Sequence, residues 1–126
     1  MPTTPCPCRS GLSYDECCGP LHRGRAAAAT AEALMRSRFS AFALGEEAYL
    51  LRTWHPSTRP DHLELDAQLR WYRLDVTSTS RGGPFDDAGT VEFTAYYRSP
   101  EGAGTQHEVS RFVREGGAWS YLDGTT

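Results

Sequence analysis

Four cysteines lie close together near the start of the sequence, and they constrain the fold more than any other feature. They are Cys6, Cys8, Cys17 and Cys18, and the 126-residue chain contains no other cysteine. Zinc takes four ligands in a tetrahedron, with each thiolate sulfur about 2.3 Å from the ion. Pro7 restricts the turn between the first two cysteines, and Gly11 allows the chain to turn back toward the second pair. The spacing therefore predicts a zinc knuckle with four protein ligands.

Two disulfide bonds or a redox pair are an alternative interpretation of these cysteines, and unpaired thiols are a third. The N-terminal residues show neither the basic segment nor the apolar stretch of a signal peptide. We therefore expect a cytoplasmic protein in a reducing compartment, where clustered cysteines bind metal more often than they form disulfides. His22 is a further candidate ligand. Because it follows a complete set of four, the sequence favours an exposed polar residue at this position.

Residues 5–19, PCPCRSGLSYDECCG, resemble the SEC-C motif. This short zinc knuckle occurs at the C-terminus of the SecA translocation motor and in many other bacterial proteins. Ser10, Gly11 and Tyr14 fit its pattern, whereas Arg9 and Leu12 stand where glycine and lysine are common. Neither departure removes a ligand. Four thiolates leave no open position on the ion, so we expect a structural site whose surface contacts a protein partner.

Length and charge limit the classes to which the chain can belong. One ordinary domain and the knuckle account for its length, and we place the boundary between residues 1–24 and residues 25–126. The formal charge of −3 predicts no broad nucleic-acid binding. No apolar run approaches the length of a transmembrane helix. Because so short a knuckle cannot bury a core, we expect metal loss to unfold residues 5–20 and to leave the larger domain folded.

The first half of the larger domain has helical periodicity. Apolar spacing predicts a helix over residues 26–44, with Thr30 as N-cap and Gly45 as C-cap. A second helix is predicted over residues 46–54 and a helical turn over residues 61–69. Arg36, Arg38 and Ser40 fall largely off the apolar stripe of the first helix, which favours solvated side chains for the arginines.

The second half is rich in aromatic and β-branched residues. Turn clusters containing glycine or proline separate four predicted strands, over residues 71–80, 90–98, 105–114 and 118–122. Helices followed by consecutive strands predict an α+β domain, with helices packed on one face of a curved antiparallel sheet. The alternation is mixed on both faces, so it does not indicate which face meets the helices.

This order of elements resembles a nuclear transport factor 2-like domain, a cone whose sheet wraps around helices and often leaves a pocket. The knuckle and residues 37–42 (SRFSAF), 53–57 (TWHPS) and 110–115 (SRFVRE) resemble the YchJ-like family. The resemblance covers nearly the whole chain and implies a SEC-C knuckle joined to such a cone. Some members carry a second, C-terminal knuckle that this sequence lacks, so the resemblance implies only functions that one knuckle can serve.

Two histidines are the candidate catalytic residues. His55 precedes Pro56 at a predicted helix end, where it could move a proton or donate to the last helix carbonyls. His107 neighbours Glu108 on a predicted strand, so the two side chains point to opposite faces. Residues expected to line the pocket of the cone are Trp54, His55, Tyr97, His107 and Trp119. The acidic candidates are Asp66, Asp75, Glu92 and Glu108, for which exposed, ion-paired strand residues are the alternative. Arginines that could bind a carboxylate or phosphate are Arg36, Arg38, Arg111 and Arg114.

Two functions of different class follow. The first is a zinc-binding adaptor or accessory protein that meets a protein partner through the knuckle. The alternative is a small-molecule-binding protein, or a dehydratase- or isomerase-like enzyme, that uses the pocket. The sequence favours a protein that is not an enzyme. A deep pocket in which a histidine and an acidic group converge would favour the alternative, and a filled pocket would favour the adaptor. By analogy with other cones we also expect a homodimer through the sheet, with Tyr96 or Trp119 exposed for this contact.

Overall fold

The longest helix, α2 (Ala31–Leu44), is the element on which the rest of the chain packs. The computed structural model describes residues 4–125. As predicted, Thr30 caps the helix by accepting from Ala33 N at 3.0 Å, and Gly45 ends it in the left-handed region at φ 76°. The predicted start at residue 26 is wrong, because the extended Thr30 cap begins the helix at Ala31. Helix α2 contacts two shorter helices and three of the four strands of the sheet.

Short helices flank α2 on both sides in the sequence. A 3₁₀ turn (Tyr14–Glu16) leads into α1 (Gly19–His22), and α3 spans Glu47–Arg52. The helical turn predicted over residues 61–69 does not form. That segment runs irregularly over the surface, and Leu63 and Leu65 pack beside Tyr49 and Leu50 of α3.

The strands β1 (Arg70–Arg81), β2 (Ala88–Ser99), β3 (Gly102–Glu115) and β4 (Ala118–Thr125) form one sheet in chain order. All three pairings are antiparallel, which confirms the predicted meander and the α+β class. Register irregularities occur in β1 between Trp71 and Arg73 and between Val76 and Ser78, and in β4 at Leu122, which is the extra residue opposite Arg111 and Phe112 of β3. Such bulges increase the local twist and curve the sheet.

One face of this sheet covers α2. Val91, Phe93 and Ala95 are almost fully buried on β2, and their partners on β3 are Ser110, Glu108 and Gln106. The intervening residues of β2 point away from the helices, so Glu92 lies on the outer face. The helices therefore meet the face that carries Val91, Phe93 and Ala95.

The cysteine segment packs into the same core as the sheet. Cys6, Cys8 and Cys18 are at most 3% exposed and belong to one buried cluster with Leu34 and Phe39 of α2. This position also explains why α2 buries polar side chains. Its sheet side carries the apolar stripe, and its other sides are covered by the cysteine segment and by α3.

No helix within residues 4–125 combines the length and apolar character needed to cross a membrane.

Candidate functional site

The four cysteines converge as the sequence predicts. Their Sγ atoms all lie within 4.8 Å of one another. The Sγ of Cys17 lies 3.6 Å from that of Cys8 and 3.8 Å from that of Cys18. Sulfurs at about 2.3 Å from a tetrahedral zinc are separated by roughly 3.8 Å, so these residues fit such an ion. All four cysteines are free thiols, which excludes the disulfide alternative for this structure.

Hydrogen bonding and burial shift the pKa values of the clustered thiols in opposite directions. Hydrogen bonds from Cys18 and Cys8 lower the pKa of the Cys6 thiol, with a smaller contribution from Ser40. Burial raises the pKa of Cys17 to about 11, although Ser10 donates to its sulfur at 3.1 Å. Four adjacent thiolates therefore require a cation to balance them. A divalent metal would supply this balance, and the geometry is compatible with one.

His22 lies beside the cysteines but is not one of the clustered ligands. The expectation of an exposed polar residue is wrong, because His22 is only 8% exposed. Its Nε2 donates to Ser37 O at 2.8 Å, and its Nδ1 lies 2.7 Å from the Tyr14 hydroxyl. The imidazole therefore connects the cysteine segment to α2.

A cavity of about 250 Å³ lies between α2 and the covered face of the sheet. Its apolar wall consists of Met35, Phe39, Phe42, Trp71, Phe93 and Ala95. Its polar wall consists of Arg38, Trp54, Gln106, Glu108, Ser110 and Tyr121. Concave sites with mostly apolar walls and a few polar groups are typical of small-molecule binding.

Arg38 is the cation of the cavity, and it is 4% exposed. The solvated arginine favoured by the sequence is therefore wrong at this position. Its Nη1 donates to Leu50 O at 2.8 Å and to Thr53 Oγ1 at 2.7 Å. Its Cζ lies 5.2 Å from the centre of the Trp54 ring and 4.7 Å from that of Tyr121. Burial lowers the pKa of Arg38 to about 10, so it remains a cation at neutral pH.

Glu108 is the anion of the cavity. Its Oε2 accepts from the Ser110 hydroxyl and, at 3.3 Å, from the Tyr121 hydroxyl. Burial raises the pKa of Tyr121 to about 12, and the adjacent Glu108 charge adds to this effect. Among residues 4–125, Arg38 and Glu108 are not within ion-pair distance of each other. The cavity therefore keeps a separate cation and anion in its wall.

Of the five residues expected to line the pocket, Trp54 lies in the cavity wall. Its Nε1 is the one buried side-chain nitrogen or oxygen without a hydrogen-bond partner in the part of the chain that the structure describes. His55 lies outside the cavity, where Nε2 is 2.9 Å from Glu115 Oε1 and Nδ1 is 2.7 Å from Ser57 Oγ. It connects the end of α3 to the β3–β4 turn.

The other three expected pocket residues also lie elsewhere. His107 projects from the outer face of the sheet, where its Nε2 is 2.7 Å from Glu92 Oε2. Tyr97 packs edge-on against Trp71, with 5.2 Å between the ring centres. Trp119 is 5% exposed and donates to Ala29 O at 3.3 Å, so it cannot supply the exposed dimer contact that the sequence suggested.

The remaining charged candidates lie outside the cavity and have local partners. Arg36 pairs with Glu32 and donates to Cys8 O, and Arg111 forms a two-pronged pair with Asp123. Arg114 contacts Asp87 and Pro84 O. Asp66 accepts from Gln68 N within a turn, and Asp75 from Arg73 and Tyr96.

The sequence analysis missed the cavity roles of Ser110, Gln106 and Tyr121. Gln106 and Ser110 each lie two residues from Glu108 along β3, so the sequence places the three side chains on one face. No sequence signal showed that this face is the covered one. Glu108 lies opposite the buried Phe93, which shows that its face of the sheet is the covered one. That pairing depends on the register of β2 and β3.

A cysteine knuckle packed on a cone of helices and sheet defines the class: a SEC-C motif joined to a nuclear transport factor 2-like domain. The family model described as the YchJ middle NTF2-like domain matches residues 30–124, and the SEC-C motif matches residues 3–20. The chain belongs to the YchJ-like family, whose curated relatives are UPF0225 proteins. The resemblance that the sequence indicated is confirmed.

Relatives with similar sequences extend over nearly the whole chain. A UPF0225 protein of Streptomyces coelicolor is 56% identical over 124 residues, which cover 98% of this chain and 97% of that protein. A UPF0225 protein of Corynebacterium glutamicum is 54% identical over 119 residues, or 94% of each chain. The likeness therefore includes both the cysteine segment and the cone.

Solved structures show the same architecture. The solution structure of a SEC-C motif containing protein from Rhodopseudomonas palustris has a TM-score of 0.83 at 37% identity, covering 96% of this chain and 97% of that one. The crystal structure of a SEC-C motif containing protein from Psychrobacter arcticus has a TM-score of 0.77 at 32% identity, covering 98% and 81%.

Proposed function

We propose that this protein binds a small molecule in the cavity between α2 and the sheet, within a fold that zinc at the four cysteines stabilises. The observation that carries the proposal is a cavity of about 250 Å³ whose wall holds a buried arginine without an ion-pair partner among the described residues. The cavity is not filled, as the adaptor would require, but no histidine of the described residues converges with Glu108 in it, so the lining supports binding rather than catalysis. Since neither His55 nor His107 lines the cavity, we propose binding and assign no catalytic step.

The energetic cost of this arrangement supports a binding role. A cavity forfeits packing contacts, and a buried charge loses its hydration unless hydrogen bonds replace it. Arg38 donates two such bonds, both from Nη1, and Trp54 Nε1 has no partner within residues 4–125. Proteins retain features of this kind chiefly where function needs them. A bound ligand would restore the lost contacts.

Zinc is the metal that the donor set favours. Four thiolates at tetrahedral spacing are typical of a closed structural zinc site and leave no position for a reacting ligand. Native mass spectrometry of the untagged protein, before and after denaturation, tests this assignment. We expect one zinc per chain. A folded, reduced protein without bound metal would contradict it, and iron would show that the donor set selects another ion.

Phenol is a suitable first probe of the cavity because it is a single ring with one hydroxyl. We expect it to bind with a Kd of about 1 mM or below. The readout is the indole N–H signals of the three tryptophans in a ¹H–¹⁵N spectrum. The Trp54 signal should move on titration. The Trp119 signal should stay, because its N–H is held by Ala29 O.

Neighbouring positions on β3 provide a matched pair of variants. Gln106 lies at the cavity and is exposed, so Gln106→Phe should block the space without disturbing the core. His107→Phe adds similar bulk on the outer face and should leave phenol binding unchanged. If neither phenol nor any of the single-ring probes described below shifts Trp54, or if Gln106→Phe binds phenol as well as the parent does, the cavity is not a binding site.

The adaptor role remains a second candidate, supported by a groove beside the cysteines. It has a volume of about 450 Å³, and Arg9 and the half-exposed Leu12 lie along it. A peptide that places an apolar residue next to a carboxylate would match these two side chains. Leu12→Ser should then weaken such a peptide's binding and leave the Trp54 signal unchanged. Equal binding of the peptide by Leu12→Ser would remove the support for this role.

A further inference from the structure

We infer that the cavity selects a small planar molecule without net charge, which carries a hydrogen-bond acceptor and a hydrogen-bond donor at its polar end. A primary amide on an aromatic ring is the simplest example. This inference rests on the proposed function, since it specifies the ligand of the same cavity. It follows from the hydrogen-bond donors of Arg38, the acceptor of Glu108, the balance of the two charges, and the volume of the cavity.

Arg38 supplies the donors. Within residues 4–125 its hydrogen bonds to protein come from Nη1, which Leu50 O and Thr53 Oγ1 occupy. The Nε and Nη2 groups are therefore left to donate to an acceptor in the cavity. The guanidinium also lies against the rings of both Trp54 and Tyr121, and together with the two hydrogen bonds these contacts orient it before a ligand arrives. A fixed donor in a water-poor site binds a carbonyl oxygen more strongly than a mobile surface group does.

Glu108 supplies the acceptor. In the described part of the chain, its hydrogen bonds from Ser110 and Tyr121 both reach Oε2, which leaves Oε1 to accept from a ligand N–H or O–H. The Glu108 side chain also packs closely against the backbone of β4 at Gly124. A Cβ at Gly124 would collide with the Glu108 carboxylate, so the glycine provides the space that the carboxylate occupies. Gly124 is a positioning residue in this scheme.

Charge balance excludes an ionic ligand. Arg38 and Glu108 are the one cation and the one anion among the lining residues, so the formal charge of the wall is zero. A ligand with a net charge would leave one charge unbalanced in a medium of low dielectric constant, which is costly. A neutral ligand that accepts from Arg38 and donates to Glu108 adds hydrogen bonds and no charge.

The size and lining of the cavity determine the body of the ligand. A volume of 250 Å³ equals roughly eight water molecules at about 30 Å³ each. One aromatic ring with a short polar group fits such a space. Phe39, Phe42, Trp71 and Phe93 form flat or edge-on aromatic surfaces that favour a ring over an open chain.

Four probes that share one ring test the inference. Benzamide is neutral with a donor and an acceptor, benzoate is an anion, benzamidine is a cation at neutral pH, and toluene has no polar end. Each is titrated into the metal-loaded protein, with the Trp54 and Trp119 indole signals as reporter and internal control. We expect benzamide to bind at least tenfold more tightly than each of the other three.

Every other ranking overturns the inference in an identifiable way. Tightest binding of benzoate would make the cavity an anion site, and tightest binding of benzamidine a cation site. Equal binding of toluene and benzamide would show a cavity selected by shape alone. In these three cases the proposed function stands and the ligand class is wrong. If none of the probes nor phenol moves the Trp54 signal, the proposed function itself fails.

A charge-changing variant provides a second test. Glu108→Gln keeps the size of the side chain and removes the anion, so the preference should shift toward benzoate by at least tenfold relative to benzamide. Glu92→Gln makes the same change on the outer face, beside His107, and should shift nothing. An unchanged preference in folded Glu108→Gln would show that the carboxylate does not take part in selection.

Discussion

The imidazole of His22 donates from Nε2 to the backbone carbonyl of Ser37 at 2.8 Å, which joins the cysteine segment to the centre of α2. The opposite nitrogen meets the Tyr14 hydroxyl at 2.7 Å, and the ring packs against Tyr49 with 4.6 Å between centres. The His22 side chain therefore contacts the cysteine segment, α2 and α3 at once. The knuckle and the cone are consequently not independent in this protein.

His22→Ala should destabilise the chain by about 2–3 kcal/mol. It removes two buried hydrogen bonds and the contact with Tyr49, and it leaves the Tyr14 hydroxyl without its partner. Urea denaturation followed by tryptophan fluorescence measures the change. His62→Ala, at an exposed position, is the control and should change the stability by less than about 0.5 kcal/mol. Equal effects of both variants would contradict the role assigned to His22.

Removal of the metal should lower the stability of the whole chain in one transition. The sequence predicted that residues 5–20 would unfold alone, but Cys8 and Cys18 belong to the same buried cluster as Leu34 and Phe39. A loss of about 3 kcal/mol would lower Tm by about 10 °C or more for a chain of this length. Calorimetry with and without a zinc chelator tests this, and added zinc should restore Tm. An unchanged Tm, with unfolding confined to residues 5–20, would show that the knuckle and the cone are two separate modules.

Gly89→Ala should be strongly destabilising, by about 3 kcal/mol or more. Gly89 faces the backbone of Gly82 where β1 ends, and a Cβ there would collide with main-chain atoms that cannot rotate away. Gly83→Ala is the matched control, because the nearest atom to its Cβ is Asp86 Oδ2 at 3.5 Å, an ordinary contact. Thermal unfolding distinguishes the two. A small change in Tm for Gly89→Ala would show that the strands can separate at this point.

Tyr121→Phe should make the protein less sensitive to alkaline pH. Burial and Glu108 raise the pKa of Tyr121 to about 12, against a smaller opposing effect of Arg38. In the unfolded chain its pKa is about 10, so the folded state binds the proton more tightly. The resulting stability is complete below pH 10 and is lost as the pH rises toward 12. We expect this contribution to be about 1–2 kcal/mol, because the residue is half-buried.

Urea titrations at pH 9 and pH 11 measure the effect. The difference in unfolding free energy between the two pH values should be smaller in Tyr121→Phe than in the parent. Tyr72→Phe, at an exposed position on β1, should leave that difference unchanged. If Tyr121→Phe and the parent lose the same stability, Tyr121 is not responsible for it.

Sequence patterns predicted those features of the fold that depend on neighbouring residues. The cysteine spacing, the Thr30 and Gly45 caps and the turns between strands each depend on a few neighbouring residues, and the structure confirms them. The helical turn at residues 61–69 failed because its leucines pack beside α3 rather than along a helical face. Tertiary contact overrode the local preference there.

The site was harder to predict, because lining a cavity is a property of the assembled layers. Of the five expected residues, Trp54 alone lies in the wall, and His107 projects from the opposite face. A strand pattern gives the two faces of a strand but not which of them is covered. Arg38 was taken for a surface residue because helical periodicity shows one stripe, whereas α2 is covered on several sides.

Spacing, capping and alternation along the sequence are enough to predict the cysteine cluster, the α+β class, the order of the strands and the family, because they act over short stretches of chain. Packing between distant segments places the cysteines in the core of the cone, joins His22 to α2, and brings Arg38 and Glu108 to one cavity. His22 and Ser37 are 15 positions apart and Arg38 and Glu108 are 70 apart, so no local pattern brings these residues together.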